Sequence, residues 1–364
     1  QSGGIDTPHP RCSTGDKCPG LILSEKLLHI CAILYFQNGR KNTNFNATSQ
    51  FQATSFFGNK LEFFKFILCL FLKYIYLRPQ RHYMNTHKCP NIEEFKAILK
   101  KIADSFIEGG RMGVSLNKDN GMLWTKMNGV ALSWMNAYGS NSLPIAERGG
   151  YQVETNALWY NALRFVSELC HVGGNEEMSE TLNDLAQRCQ LSFVGKFLNE
   201  HGWLFDYVDG DTPDWSVRPN MIFAAALEYS PLDRKQQKSV LDIVTKELLT
   251  PKGLRSLSPK SFGYNPNYVG PQVERDYAYH QGTAWPWLGG FYMEAYLRIH
   301  KMSGLSFVER QLIGFEEEMT THCIGSIPEL FDGNPPYLGR GAVAFAMNVA
   351  EILRILDVLN EYDI

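Results

Sequence analysis

Four stretches of this chain put carboxylates, amides and aromatic rings close together in segments that lack the spacing of a packed core. "YQVETNALWYNAL" (151–163) carries Glu154 and Trp159 at the start of an apolar helical pattern. "DYVDGDTPDWSVRPNM" (206–221) gathers Asp206, Asp209, Asp211 and Asp214 ahead of Arg218 and Asn220. Residues 253–287 end in Tyr279, His280, Gln281 and Trp285, and "GSIPELFDGNPP" (325–336) holds Glu329 between Pro328 and Leu330. Upstream lies "ALSWMNAY" (131–138), with Trp134 and Asn136 in a run without a carboxylate.

Ring faces beside a hydrogen-bonding rim suit a sugar, whose C–H faces stack and whose hydroxyls need partners. The chemistry such a pocket supports is glycoside hydrolysis. One acid protonates the leaving oxygen, and one carboxylate attacks or activates water. Each motif also has a plainer use. Glu154 can serve as the favourable acidic charge in a first helical turn, Glu329 can be a turn carboxylate, and the aromatics can fill a core. The Asp run lacks the closing Glu of a calcium loop. Cys12 and Cys18 form a close pair, but no second pair completes a zinc site. No metal and no cofactor are therefore expected.

Composition narrows the class. A net charge of −3 without a basic stripe argues against nucleic acid as a partner. Scattered thiols in apolar surroundings (Cys31, Cys69, Cys170, Cys323) fit a reducing, cytoplasmic compartment. The most apolar stretch, "FFKFILCLFLKYIYL" (63–77), is interrupted by Lys65 and Lys73 and falls short of the ~20 residues that span a bilayer. It reads as a buried helix, so no membrane partner is expected. The first residues, "QSGGIDTPHP", lack the basic and apolar regions of a signal peptide.

The elements that must position these motifs are helices. From residue 91, Ile92, Phe95, Ile98, Leu99, Ile102 and Phe106 recur at helical spacing. Further helices are predicted at 153–170, 177–200, 218–229, 233–248, 280–300, 305–319 and 340–359. Gly-, Pro- and Asn-rich connections lie between them, and no run of alternating strands appears. The Asn-rich segment 38–59 reads as loop. Long helices joined by alternately short and long links predict stacked antiparallel pairs, an all-α toroid with a funnel lined by loops. Segments such as "RPNMIFAAAL" and "GAVAFAMNVA" are apolar nearly all round, as inner helices packed on two sides should be.

The motifs "ALWYNAL" (157–163), "GLRSLSP" (253–259), "AYHQGTAWPW" (278–287) and "GSIPELFDG" (325–333) together resemble the amylo-α-1,6-glucosidase domain of glycogen debranching enzymes. The resemblance runs over about residues 91–364, leaving 1–90 as a divergent N-terminal part holding loops and the first toroid helices. It implies an (α/α)6 toroid of the six-hairpin glycosidase type. It also implies inverting hydrolysis of the α-1,6-linked glucose stub at a branch of glycogen or limit dextrin. Glu329 would then be the general base. Trp134, Trp159, Asp206, Arg218, Asn220, Tyr279, His280, Gln281 and Trp285 are expected to contact substrate.

One position departs from the family pattern. "LSWMNAY" stands where the family carries T-W-M-D, with the Asp as general acid, so that position is Asn136 and Ser133 replaces the Thr. An amide has no acidic proton to give. Three explanations stay open: a replaced acid that traps substrate, a glucan-binding homologue of low or no activity, or another carboxylate such as Glu154 in the acid's role. A toroid enzyme for a different glycan is a further alternative. A uronate lyase would need a cationic clamp, for which Arg218 and Arg255 are available.

Overall fold

The computed structural model describes residues 100, 103–108 and 113–362, which fall within one compact unit. Backbone at 100 and 103–107 is helical, within the pattern that starts at residue 91. The rest of that pattern, the stretch 63–77, the Asn-rich 38–59 and the Cys12–Cys18 pair lie outside the described residues.

An antiparallel hairpin of β1 (Val114–Leu116) and β2 (Leu123–Thr125) comes first. β3 (Tyr151–Gln152) then feeds α1 (Val153–Val172), and α2 (Glu176–Phe197) returns along it. The turn is short because Gly173 ends α1 and the Asn175 side chain caps α2, accepting from the Met178 N–H at 3.2 Å. The hairpin β4 (Tyr207–Asp209) and β5 (Thr212–Pro213) precedes a 3-10 turn, Pro219–Met221, and the short α3 (Ile222–Ala226). Next is α4 (Arg234–Glu247), opened by a capping box in which Asp233 and Gln236 satisfy each other's backbone N–H groups. After it come β6 (Leu249–Thr250), β7 (Gly253–Arg255), α5 (Gln272–Ala278) and β8 (Ala284–Trp285). The chain closes through α6 (Pro286–His300), α7 (Leu305–Ile313), α8 (Glu318–Thr321), β9 (Leu330–Phe331), β10 (Gly339–Arg340) and α9 (Ala346–Asn360).

Packing follows the sequence character of each helix. α1 packs on α3, α3 on α6, and α6 on α9, forming an inner row. Behind it, α2 covers α1, α4 covers α3 and α6, and α7 covers α6. Alternating inner and outer helices are the wall of an α/α toroid. The inner helices carry small residues where backbones approach: a Cβ on Gly289 would sit 3.2 Å from the Gly253 Cα. All of Ile222–Ala226 is buried, as a helix enclosed on two sides requires. Between α6 and α9, Arg354 is held by Glu294 at 2.5 Å and Glu351 at 2.8 Å, so that charged residues of an inner interface are matched.

Five two- and three-residue strands form one sheet in the order β10-β9-β8-β7-β6. Its pairs include Leu254↔Trp285, Ala284↔Phe331 and Arg340↔Leu330. The sheet stitches together the connections that enter the inner helices, so segments 249–285 and 325–345 meet at one end of the wall.

Several boundaries differ from the sequence reading. The helix expected at 218–229 is a 3-10 turn plus five residues, ending where Leu227 turns extended. The one expected at 280–300 begins only at Pro286, a favoured first position, because Gly282 at φ +143° and β8 occupy the residues before it. The one at 305–319 breaks at Gly314. α5 lies inside an expected loop; Ala278 is its only buried residue, so it has no apolar stripe to read. The short strands escaped for a similar reason, since two residues cannot show an alternation.

Candidate active site

The loops at the N-terminal ends of the inner helices build a buried ionic knot. Arg148, from the loop before β3, donates Nε–H to Asp206 at 2.5 Å and Nη2–H to Glu154 at 2.7 Å. Its Nη1 reaches the other Glu154 oxygen. All three side chains are buried. Burial alone would lower the Arg148 guanidinium, but the charges of Asp206 and Glu154 outweigh it and raise it. Both Glu154 oxygens are thus occupied by a cation, which argues against this residue as a proton donor. Glu154 does stand in the first turn of α1, where Arg148 takes both of its oxygens.

Asp206 extends the knot toward the rings. Its Oδ1 accepts from the Asn220 amide at 2.7 Å, and Asn220 Oδ1 accepts the Trp134 indole N–H at 2.7 Å. Arg218 lies 3.8 Å from Asp206 and donates to Gln281 Oε1 at 2.7 Å and to the carbonyls of His280 and Ser256 at 2.8 and 3.1 Å. One buried cation therefore ties three loops. Burial depresses its guanidinium, with Asp206 acting the other way.

Trp134 leads into an aromatic cluster. Its ring meets His280 at 5.0 Å and Trp285 at 5.4 Å, both edge-on. Tyr279 lies 4.6 Å from His280 and 5.0 Å from Trp285. His280 is fully enclosed, stacks on Trp285 at 5.6 Å, and neither ring nitrogen has a hydrogen-bond partner among the described residues. Burial first, then the Arg218 and Arg148 charges, pushes its imidazole well below the usual histidine value, so it stays neutral.

The far end of the cluster holds Glu329. The Tyr279 hydroxyl donates to its Oε1, and the Ala342 N–H donates to its Oε2 at 2.9 Å. The Asn348 amide fixes the backbone beneath, donating to the Pro328 and Glu329 carbonyls at 2.6 and 2.9 Å. Gly341, at φ +72°, leaves room for the carboxylate: a Cβ there would collide with Oε2. Burial, then the Glu329 charge, raises Tyr279 far above the usual phenol value, so its proton remains available to Glu329.

The structure thus brings Trp134, Asp206, Arg218, Asn220, Tyr279, His280, Gln281, Trp285 and Glu329 into one connected set. Asn136 is exposed, one residue beyond the Met135 that is buried against Arg218 and Asn220. Trp159 is not part of the set. It is fully buried, packs on Phe106, and its indole N–H donates to the Gly121 carbonyl at 3.0 Å, so no ring face is free for a sugar. Helical spacing in α1 turns it to the core. Sequence reasoning missed Arg148, Gly341 and Asn348. It also gave no weight to Asp214, which burial and then the Asp206 charge hold above the usual carboxylate range. An open groove of about 520 Å³ between α1 and α2, lined by Arg164, Glu168, His171 and Tyr229, shares no residue with this set.

Residues 46–354 match the family model described as amylo-alpha-1,6-glucosidase. The glycogen debranching enzyme of Saccharomyces cerevisiae is 26% identical over 197 residues, a match that spans 44% of this chain and only 13% of the yeast enzyme. Among solved structures, a sialidase superposes with TM-score 0.54 at 15% identity, covering 73% of this chain and 24% of that one. The neutral trehalase of S. cerevisiae gives TM-score 0.46 at 14% identity, over 62% of this chain and 40% of the trehalase.

Proposed function

The chain belongs to the amylo-alpha-1,6-glucosidase family, and from that premise we propose that it acts on branched α-glucan, with a pocket for the α-1,6-linked glucose of a limit-dextrin stub. In the inverting reaction, a water oxygen attacks the anomeric carbon while Glu329 takes the water's proton. The bond to the glucan 6-oxygen breaks, and that oxygen must gain a proton. The observation that carries the reading is the cradle around Glu329. A carboxylate with two fixed donors, beside a cluster of rings, is positioned as a base rather than left as a loose turn residue.

The second half of the chemistry rests on position 136. Asn136 has no proton to deliver, and the paired geometry of Glu154 does not supply one. General acid catalysis is worth ~10²–10⁴-fold, so we infer that turnover is slow by about that factor and that glucan binding outlasts hydrolysis. This gives the second reading, a glucan-binding relative of low activity, its own observation.

Glucose release from a phosphorylase limit dextrin tests both. Asn136→Asp is expected to raise the rate ~10²–10⁴-fold, and Glu329→Gln in that background to abolish it. A rate unmoved by Asn136→Asp would refute the placement of the acid. Binding without any turnover in either form would leave the glucan-binding reading alone.

A further inference from the structure

Outside the connected set, aromatic side chains also gather at the surface of the segment that delivers Asp206. Trp203 stacks on His201 with ring centres 4.8 Å apart and planes at 18°. Trp215, half exposed at 50%, stands edge-on to Phe205 at 4.6 Å and to His201 at 6.0 Å. A single exposed ring is ordinary on a protein surface. Here three neighbouring side chains hold one another upright, and the backbone beneath them is fixed.

That backbone has two legs. In the first, Asn199 N–H donates to the Trp203 carbonyl at 2.9 Å, its side chain accepts from the His201 and Trp203 N–H groups, and Leu198 bridges Leu204. Gly202 turns this loop at φ +84°, where an added Cβ would meet the Ser239 hydroxyl at 2.8 Å. In the second leg, Asp214 N–H donates to the Tyr207 carbonyl at 2.9 Å, and Val217 accepts from the Ser258 N–H at 3.0 Å. The legs join each other: Asp206 N–H donates to the Asp214 carbonyl at 3.2 Å. Phe205 immediately precedes Asp206, and Trp215 lies three residues before Arg218. The platform is therefore continuous along the chain with the segment that carries Asp206 into the buried knot.

We propose that Trp203, His201 and Trp215 form a second carbohydrate-binding site that stacks the glucose units of a linear α-glucan chain outside the pocket. The inference rests on the glucan reading above and extends it to how a polymer is held. Rigid indole faces suit the C–H faces of pyranose rings and cost little ordering entropy. His201, exposed beside both indoles, presents ring nitrogens for hydroxyls. The platform is pre-built, so what it contributes is affinity for long chains rather than for a single sugar.

The test is isothermal titration of maltoheptaose and of isomaltose against the intact chain, comparing wild type, Trp215→Ala and Trp203→Ala. Circular dichroism establishes that each variant is folded, and Trp215→Phe, which keeps a ring, serves as the conservative form. The expected result is an about tenfold weaker Kd for maltoheptaose in Trp215→Ala, with a smaller loss in Trp215→Phe and isomaltose affected less. Maltoheptaose bound equally by wild type and both alanine variants would overturn the platform while leaving the pocket reading intact. If the wild type binds neither sugar, the glucan reading itself falls, and the platform with it.

Discussion

The Tyr279 hydroxyl donates to Glu329 across fifty residues of sequence, and the same tyrosine ring packs against His280 and Trp285. The proposed base and the aromatic cluster are thus joined through one side chain. Its proton is secure, because burial and then the Glu329 charge raise the phenol far above its usual value.

Tyr279→Phe keeps the ring and removes only that donor. A hydrogen bond to a charged group is worth roughly 1.5–3 kcal/mol, so kcat should fall about ten- to a hundredfold. The measurement is steady-state glucose release in the Asn136→Asp background. A change confined to KM would mean that Tyr279 binds sugar without orienting Glu329.

Gly341 is the backbone counterpart of that contact. Its φ of +72° costs an L-residue roughly 1–2 kcal/mol, and a Cβ there would strike the Glu329 carboxylate. Gly341→Ala is expected to lower stability by about that amount in urea titrations. It should also cut glucose release well beyond the loss of folded protein, because Oε2 must move. Full activity per folded molecule would show that the Glu329 position tolerates the shift.

What the sequence discloses and what it hides divide by distance along the chain. Glu329 in a Pro-flanked turn stood out by type, as did Tyr279, His280, Gln281 and Trp285; yet their loop, read as too polar for a core, buries His280, Gln281 and Trp285. Residues whose role depends on a remote partner were not readable. Arg148 sits in "PIAERGG", where nothing local distinguishes it, and its partner Asp206 is fifty-eight residues away. Asn348 supports Glu329 from nineteen residues downstream. Trp159 misled in the opposite way, since polar neighbours suggested a pocket while its place in α1 put it in the core. Uniform apolarity pointed correctly to the buried Ile222–Ala226, but it misled at 341–350, where residues 341–344 are exposed and the helix begins only at Ala346. The sheet that gathers the loops of the inner helices was not legible, because its strands are too short to leave a pattern.

Among the described residues Arg148 is the one cation bonded to Glu154, and it shares Asp206 with Arg218. Removing one partner of a buried pair leaves the others uncompensated, at about 3–5 kcal/mol. Arg148→Met should therefore lower unfolding free energy by that amount, and adding Glu154→Gln should recover part of it. Urea denaturation of the single and double variants checks this. Additive losses would mean the two side chains act independently.

His280 gives stability a pH dependence of known sign. Unfolded, it takes a proton near pH 6.5; folded, burial and two arginine charges keep it neutral to much lower pH. Below about pH 6.5 the unfolded state binds more protons than the native one, so stability falls as pH falls, by up to about 1.4 kcal/mol per unit from this group. Above that pH the contribution is fully present. The buried Asp214 and Glu351, held above the carboxylate range by desolvation, act in the opposite direction, so the comparison must be with a variant. His280→Phe retains a ring against Trp285 and leaves no nitrogen to protonate; neither nitrogen is bonded to begin with. Urea denaturation between about pH 5 and 8 should show wild type losing stability relative to His280→Phe on the acid side, with a constant difference above neutrality. A difference independent of pH would mean that the folded imidazole takes its proton as readily as the unfolded one, and that the ring is not sealed from solvent.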